Sequence, residues 1–133
     1  MISQFPCRCD CGASAKRHPD YALWLCDEHM AAFQKRQAAN RRYKEKHPYR
    51  GAVKSRNIYA RSVGAEGSFT EQEWLDLIAR YKYRCLRCKN KVPLTIDHVV
   101  PLSKGGSNYI SNIQPLCSGC NSYKSQRTKD YRV

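Results

Sequence analysis

Two Cys-x2-Cys pairs limit what this chain can fold into more than any other feature of its sequence. Cys85 and Cys88 form the first pair, Cys117 and Cys120 form the second, and 28 residues lie between them. Each pair presents two sulfurs from one tight turn, and four thiolates complete a tetrahedral zinc site with no open position. We therefore expect a structural zinc ion that holds residues 85–120 together. Two disulfides are the alternative.

The first thirty residues hold five more candidate ligands, which are Cys7, Cys9, Cys11, Cys26 and His29. Cys26 and His29 make a good half-site, and Cys7 and Cys11 have the most usual spacing among the early cysteines. We expect these four residues to bind a second structural zinc, with Cys9 as a free thiol or an alternative ligand. A loose, reduced, cysteine-rich tail is the other interpretation.

The length and the first residues favour metal over disulfides. A chain of 133 residues cannot build a large apolar core, so something else must help to stabilise it. The start, MISQFPCRCD, lacks the regions of a secretory signal, and no apolar run approaches the length of a membrane span. We expect a reducing, cytoplasmic setting without a membrane partner, where Cys-x2-Cys pairs are typical metal ligands.

The charge is strongly positive and unevenly distributed. Lys and Arg number 24 against 11 Asp and Glu, which gives +13, and residues 31–69 alone hold ten basic and two acidic residues, a net +8. Zinc bound to thiolates lowers the total only to about +10. A solvated surface is the alternative, but a surplus concentrated in one segment favours a polyanionic partner, with nucleic acid the first to consider.

The pattern along the chain predicts an α+β protein. We expect a basic, solvated helix from about Asp27 to His47, a loop or linker over 49–67, and a helix begun by a capping box of Thr70 and Glu73. The helix presents an apolar face that includes Trp74. A strand over 92–100, a loop at 104–108, a strand near 113–116 and a helix over 118–127 follow. The expected domains are a zinc-binding segment (1–30), a basic DNA-binding helix and linker (31–68) and a catalytic domain (69–133).

An acid and a histidine stand side by side in the first of these strands. The side chains of neighbouring residues leave a strand on opposite sides, so Asp97 and His98 are expected to have different roles. We expect Asp97 to bind a hard metal ion that contacts the substrate, and His98 to face that substrate from another direction. Asn121 directly follows a zinc ligand, Cys120, which fixes its direction. Oxygen ligands from Asp and Asn suit Mg²⁺ or Mn²⁺.

The stretch CLRC…TIDHVVPLSKGGSNYISNIQPLCSGCN…K resembles the HNH endonucleases of the ββα-metal (His-Me finger) superfamily, in the subgroup with a four-cysteine zinc site. The resemblance covers residues 69–127, and residues 85–124 carry its specific part. CDCG…LCDEH and FTEQEW are similar to small phage-encoded HNH proteins. The resemblance implies a small zinc-stabilised ββα-metal domain with a preceding helix and an N-terminal zinc-binding, helical, basic extension.

The resemblance also implies a role for each residue of the motif. His98 is the general base, Asp97 binds the catalytic ion, and Asn112 hydrogen-bonds across the long loop to fix the hairpin. The last position binds the same ion. Many members have His there, whereas this chain has Asn121.

The expected function is a metal-dependent endonuclease that nicks or cuts DNA and leaves 5′-phosphate and 3′-hydroxyl ends. The alternatives are a noncatalytic, zinc-stabilised DNA-binding protein and a subunit of a phage packaging or restriction complex, and a homodimer is possible. A phage-encoded protein would act in the bacterial host cell. The expected DNA contacts are Arg41, Arg42, Lys44, Lys54, Arg56, Lys104 and Lys124.

Overall fold

The chain divides into two compact units, Met1–His47 and Pro48–Val133. The computed structural model describes Arg8 and residues 11–133, so the expected ligand Cys7 and the neighbouring Cys9 lie outside the described residues. Residues 48–68 belong to the same unit as the expected catalytic domain. Within the described residues, no helix has the length and apolar character needed to cross a membrane.

The first unit is a short hairpin followed by a long helix. Strand β1 (Lys16–Arg17) pairs antiparallel with β2 (Trp24–Leu25), and α1 covers Asp27–Lys46. No residue of α1 is buried, which confirms the expected basic, solvated helix. The small core beneath its start consists of Ala15, Leu25 and Cys26.

The segment after Pro48 corrects one expectation. Residues 49–67 were expected to form a loop or linker, but α2 covers Arg50–Ser62. Val53 and Ala60 are buried on one side of this helix, and Asn57 lies between them on the same side. The prediction was wrong because a polar residue interrupts the short apolar stripe, and because the first turn has a glycine and no acid to mark a helix start.

Helix α3 (Glu71–Arg80) begins as its sequence predicts. The Thr70 hydroxyl accepts a hydrogen bond from the Glu73 backbone N–H at 3.1 Å, and the Glu73 carboxylate accepts one from the Thr70 N–H at 2.7 Å. This reciprocal capping satisfies two N–H groups that the helix itself leaves without partners. Trp74, Leu77 and Ile78 are buried on one face, so the expected packing face is confirmed.

A hairpin and a helix complete the second unit. Strand β3 (Leu94–His98) pairs antiparallel with β4 (Ile113–Cys117), with Asp97 opposite Gln114, and α4 follows at Ser118–Lys124. Short 3-10 turns at Leu102–Lys104 and Ile110–Asn112 lie in the connection between the strands. The observed order is strand, long loop, strand, helix. The described residues form four helices and two small antiparallel sheets, which confirms the α+β class.

The core of the second unit joins α3, the hairpin and two cysteines. Trp74, Ile78, Ile113 and Leu116 are fully buried there, and Cys85 and Cys120 belong to the same cluster. A metal ion held by these cysteines would therefore extend a core that is small by itself.

Candidate active site

Four cysteines come together at one end of the hairpin. Every pair of sulfurs among Cys85, Cys88, Cys117 and Cys120 lies within 4.8 Å, and the Cys88 and Cys117 sulfurs are 3.9 Å apart. A tetrahedral zinc ion with bonds of ~2.3 Å needs sulfurs separated by about 3.8 Å. None of the four forms a disulfide. The cluster is therefore compatible with the expected zinc site, and the disulfide alternative is contradicted here.

Two of these cysteines, Cys85 and Cys120, have pKa values shifted in opposite directions. Burial opposes ionisation of Cys85, but backbone hydrogen bonds at Cys117, Cys88 and Arg87 outweigh it and lower the pKa of this thiol to about 6. Burial raises the pKa of Cys120 to about 11, although the Arg87 guanidinium, 3.6 Å from its sulfur, acts against that rise. Of these two thiols, Cys85 is therefore the one that loses its proton more readily.

A second cluster lies in the first unit, where β2 leads into α1. The Cys11 and Cys26 sulfurs are 3.7 Å apart, and His29 Nδ1 lies 3.0 Å from the Cys26 sulfur. All three ligand atoms are within 4.8 Å of one another. The structure thus brings together three of the four residues expected at a second zinc site, while the fourth, Cys7, lies outside the described residues.

Beside the four-cysteine cluster, one cavity of about 500 Å³ brings together the residues expected to do chemistry. Asp97, His98 and Asn121 all line it. Helix α2 contributes Arg56 and Tyr59 to the same wall. The cavity is large enough for a phosphate group and its sugar neighbours, and it is open to solvent.

Asp97 is held by two donors. Gln114 lies opposite it in the hairpin, and its Nε2 donates to Asp97 Oδ2 at 2.8 Å. The Lys124 ammonium lies 3.2 Å from the same oxygen and 3.3 Å from Oδ1, and it also donates to the His98 backbone carbonyl at 2.7 Å. The Lys124 side chain is only 1 % exposed. Lys124 was expected as a DNA contact at the border of the active site; its ammonium is instead buried against Asp97, because a buried carboxylate needs a cation.

The imidazole of His98 is buried and hydrogen-bonded. Its Nε2 lies 2.9 Å from Asn108 Oδ1. Burial lowers the pKa of His98 below its ordinary value, the Asn108 hydrogen bond opposes this effect, and the nearby charge of Arg56 adds to it. The ring is therefore neutral near pH 7, which is the form that can accept a proton.

Asn112 joins the two ends of the long loop. Its amide accepts from the Val100 N–H at 3.0 Å and donates to the carbonyls of Val100 at 3.0 Å and Ser107 at 2.7 Å. One side chain thereby satisfies three backbone groups of the loop that follows His98.

Asn121 stands in the first turn of α4 and points at β3. Its Nδ2 donates to the Thr95 hydroxyl at 3.0 Å, and that hydroxyl in turn donates to the Leu116 carbonyl at 2.8 Å. Because the hydroxyl proton is engaged, its oxygen must accept from Asn121, which orients the amide. The amide oxygen of Asn121 is thus directed away from Thr95 as a possible ligand.

The expected DNA contacts lie on separate elements. Arg41, Arg42 and Lys44 are exposed on α1 of the first unit. Lys54 and Arg56 are exposed on α2, and Lys104 is exposed in the long loop. Of these six, Arg56 lines the cavity.

Sequence reasoning missed three residues of the site, which are Asn57, Asn108 and Gln114. Gln114 is fully buried in a strand of apolar neighbours, and a lone amide at such a position was the available signal. Asn108 lies in a polar loop where asparagine is ordinary, so nothing marked it. Asn57 fell in the segment expected to be a linker.

One comparison with known proteins bears on this site. Residues 83–132 match the model of a family described as HNH endonuclease. The matched segment contains the four-cysteine cluster, the hairpin and α4, and it confirms the resemblance for that part of the chain. No curated protein and no solved structure matches this chain.

Proposed function

From this HNH endonuclease match over residues 83–132, we propose that the protein is a metal-dependent endonuclease that hydrolyses phosphodiester bonds in DNA. The observation that carries the proposal is the shared cavity of Asp97, His98 and Asn121 beside the four-cysteine cluster. A nuclease needs a base that deprotonates water and a positive charge that stabilises the phosphate. His98 can act as the base, and Asp97 and Asn121 can bind a metal ion that supplies the charge.

His98 is the proposed general base. Its neutral, buried imidazole can take a proton from a water molecule as that water attacks phosphorus. Asn112 supports this role because its three hydrogen bonds hold the loop that begins just after His98. A base that is fixed in advance loses little entropy when the substrate binds.

Asp97 and Asn121 are the proposed ligands of a catalytic Mg²⁺ or Mn²⁺ ion. One carboxylate and one oriented amide oxygen fit such an ion, which takes its other ligands from water and phosphate. When bound, the ion would neutralise charge on the scissile phosphate and on the leaving oxygen. Gln114 holds the Asp97 carboxylate in position, so this ligand does not depend on the ion for its orientation.

The zinc ions are proposed as scaffolding. Cys85, Cys88, Cys117 and Cys120 would bind one ion, and Cys7, Cys11, Cys26 and His29 would bind a second. The first set offers four sulfurs, and the second offers three sulfurs and one imidazole. Zinc prefers both kinds of ligand, and four ligands leave no position for substrate. The first site fixes the start of α4, and with it Asn121.

DNA is the proposed substrate, and the basic stretch 31–68 is its proposed binding region. Arg41, Arg42 and Lys44 would contact phosphates from α1, and Lys54 and Arg56 would do so from α2. Lys104 extends this charge to the loop. Such contacts position the backbone and carry no sequence information.

The test is plasmid cleavage. Purified, zinc-loaded protein is incubated with supercoiled plasmid in Mg²⁺, in Mn²⁺ and in chelator. We expect nicked or linear product only with the divalent ion, and a loss of about 10²- to 10⁴-fold in rate for His98→Ala. Gln72→Ala, on the exposed face of α3, should cleave like the wild type.

DNA binding by the same proteins distinguishes the alternative. His98→Ala should still retard DNA in a gel. If the wild type retards DNA but leaves it uncut in every metal, the protein is the noncatalytic, zinc-stabilised DNA-binding protein.

A further inference from the structure

A chain of two amides, the half-buried Asn57 and the fully buried Asn108, connects helix α2 to the imidazole of His98. We propose that Asn57 and Asn108 act as positioning residues that keep the proton of neutral His98 on Nε2 and leave Nδ1 as the atom that accepts a proton. The inference rests on the proposed function only where it names Nδ1 as the base.

The chain of amides starts at the backbone of Phe69. Asn57 Nδ2 donates to the Phe69 carbonyl at 2.8 Å, and the Phe69 N–H donates to Asn57 Oδ1 at 3.3 Å. A backbone carbonyl only accepts and a backbone N–H only donates. The two ends of the Asn57 amide are therefore identified by its partners, and its oxygen is an acceptor.

Asn57 in turn fixes the orientation of Asn108. Asn108 Nδ2 lies 2.7 Å from Asn57 Oδ1. Since that oxygen can only accept, the NH₂ group of Asn108 must face it. Asn108 is fully buried, and its backbone N–H donates to the Glu66 carbonyl at 2.6 Å, so the residue is held from both sides. Turning its amide over would set its oxygen against Asn57 Oδ1 at a fully buried residue.

Asn108 then fixes the tautomer of the ring. With its NH₂ group on Asn57, Asn108 presents Oδ1 to His98 Nε2 at 2.9 Å. An amide oxygen cannot donate, so Nε2 must carry the hydrogen, and in a neutral imidazole the other nitrogen then has the lone pair. Among the residues that the structure describes, none is hydrogen-bonded to Nδ1. A chain of hydrogen bonds that begins at the Phe69 backbone thus determines which nitrogen of the His98 ring can accept a proton.

The same hydrogen bonds give α2 a part in the site. Asn57 lies outside residues 83–132, the segment that matches the HNH model. Without Asn57 the Asn108 amide can turn over and offer its NH₂ group to Nε2, which favours the tautomer with the proton on Nδ1. That tautomer has no lone pair where the proposed reaction needs one.

The direct test is nuclear magnetic resonance of the full-length, zinc-loaded chain labelled with ¹⁵N-histidine, without Mg²⁺ or DNA. Ring ¹⁵N–¹H correlations at a pH where the imidazole is neutral show which nitrogen carries the proton, and His98→Ala assigns the signal among the four histidines. We expect His98 to carry it on Nε2 alone. A proton on Nδ1, or a mixture of tautomers, in the wild type overturns the proposal.

Variants test each amide separately. Asn108→Leu and Asn57→Leu should shift His98 to a mixture or to the Nδ1-protonated form. Ser55→Leu, on the exposed part of the same helix, should leave the tautomer unchanged. An unchanged tautomer in both leucine variants overturns the proposal.

The rate of plasmid cleavage tests whether the tautomer matters for activity. With saturating plasmid, Asn108→Leu should lower kcat by roughly 10²- to 10⁴-fold and Asn57→Leu by roughly 10- to 100-fold, with DNA affinity unchanged. A wild-type kcat in both leucine variants contradicts the proposal. If the wild type cleaves nothing in any metal, the proposed function fails, while the tautomer measurement still decides this inference.

Discussion

At the scale of single residues, Asp97 is paired with the Lys124 ammonium on the carboxylate that is proposed to bind the catalytic ion. The Lys124 ammonium contacts both carboxylate oxygens, and the side chains of both residues are buried. A buried carboxylate without a cation is costly, and the Lys124 ammonium compensates for that cost. The proposed divalent ion would have to share the same carboxylate with Lys124. The protein would then gain stability at this site at the expense of metal affinity.

Replacing Lys124 with methionine tests this balance. Lys124→Met should lower the free energy of unfolding by about 3–5 kcal/mol in the absence of divalent ions, because it leaves the Asp97 charge buried and unpaired. Added Mg²⁺ should then raise the melting temperature of the variant more than that of the wild type. Calorimetry of both zinc-loaded proteins, with and without Mg²⁺, measures the difference.

Lys104→Met is the matched control, since that lysine is exposed in the loop. It should leave the unfolding free energy nearly unchanged. Equal Mg²⁺ shifts in Lys124→Met and in the wild type would contradict the expected competition between Lys124 and the ion for Asp97.

At the scale of the elements, close packing within the loop between β3 and β4 holds the segment that follows His98. Gly106 packs so tightly there that an added Cβ would lie 1.9 Å from the Val100 carbonyl oxygen. That carbonyl also accepts from Asn112. Any side chain at position 106 therefore pushes on the segment that follows the proposed base.

Gly106→Ala should destabilise the protein by roughly 1–3 kcal/mol, because the loop backbone has to move. Gly119→Ala is the control: it is exposed in α4, nothing lies within 4 Å of the added atom, and alanine there should gain about 0.5–1 kcal/mol. Urea unfolding of the zinc-loaded variants gives both values. A Gly106→Ala protein as stable as the wild type would contradict the close packing of this loop.

The elements also show how far the sequence alone predicts this fold. Local signals predicted α3, because Thr70 and Glu73 cap it and its apolar face repeats along the helix. Helix α2 was missed, because its buried side depends on a hydrogen bond between Asn57 and the distant Phe69 backbone. A local sequence pattern predicts an element whose capping residues and apolar face lie within its own segment. It does not identify an element whose stability comes from a partner elsewhere in the chain.

The same contrast holds within the site. Asp97 and His98 could be named because an acid and a histidine stand side by side in a strand, and Asn121 because it directly follows Cys120. Gln114 was marked only as a lone amide in an apolar strand, and its role could not be predicted, since it follows from the register that sets it opposite Asp97. Register depends on the whole hairpin and is not a property of one position.

At the scale of the whole molecule, the net charge of +13 predicts binding that depends on salt. Replacing Arg41, Arg42 and Lys44 together with glutamine should reduce the slope of log affinity against log salt by about 0.9 for each phosphate that the variant no longer neutralises. The rate at saturating DNA should stay unchanged. Fluorescence titration of labelled duplex at several salt concentrations measures the slope.

Lys91→Gln, in the turn before β3, is the control for that triple variant and should keep the wild-type slope. A triple variant with the wild-type slope would show that α1 does not contact DNA.

Two tryptophans, one in each unit, allow the zinc sites to be tested separately. Trp74 is fully buried in the core that includes Cys85 and Cys120, and Trp24 packs in the small core with Cys26. In a Trp24→Phe background, Cys120→Ser or removal of zinc should shift Trp74 emission to the red as the core opens. Cys26→Ser in the same background should leave Trp74 emission unchanged. An unshifted spectrum after complete zinc removal would contradict a structural role for the ion.

The most direct test of the central claim is to locate the ions in crystals of the zinc-loaded protein grown with Mn²⁺. Anomalous diffraction distinguishes the two metals. We predict zinc among Cys85, Cys88, Cys117 and Cys120, and manganese bound by Asp97 and Asn121 in the cavity that His98 lines. Manganese absent from that cavity, with Asp97 bound only to Lys124 and Gln114, would contradict the proposed active site.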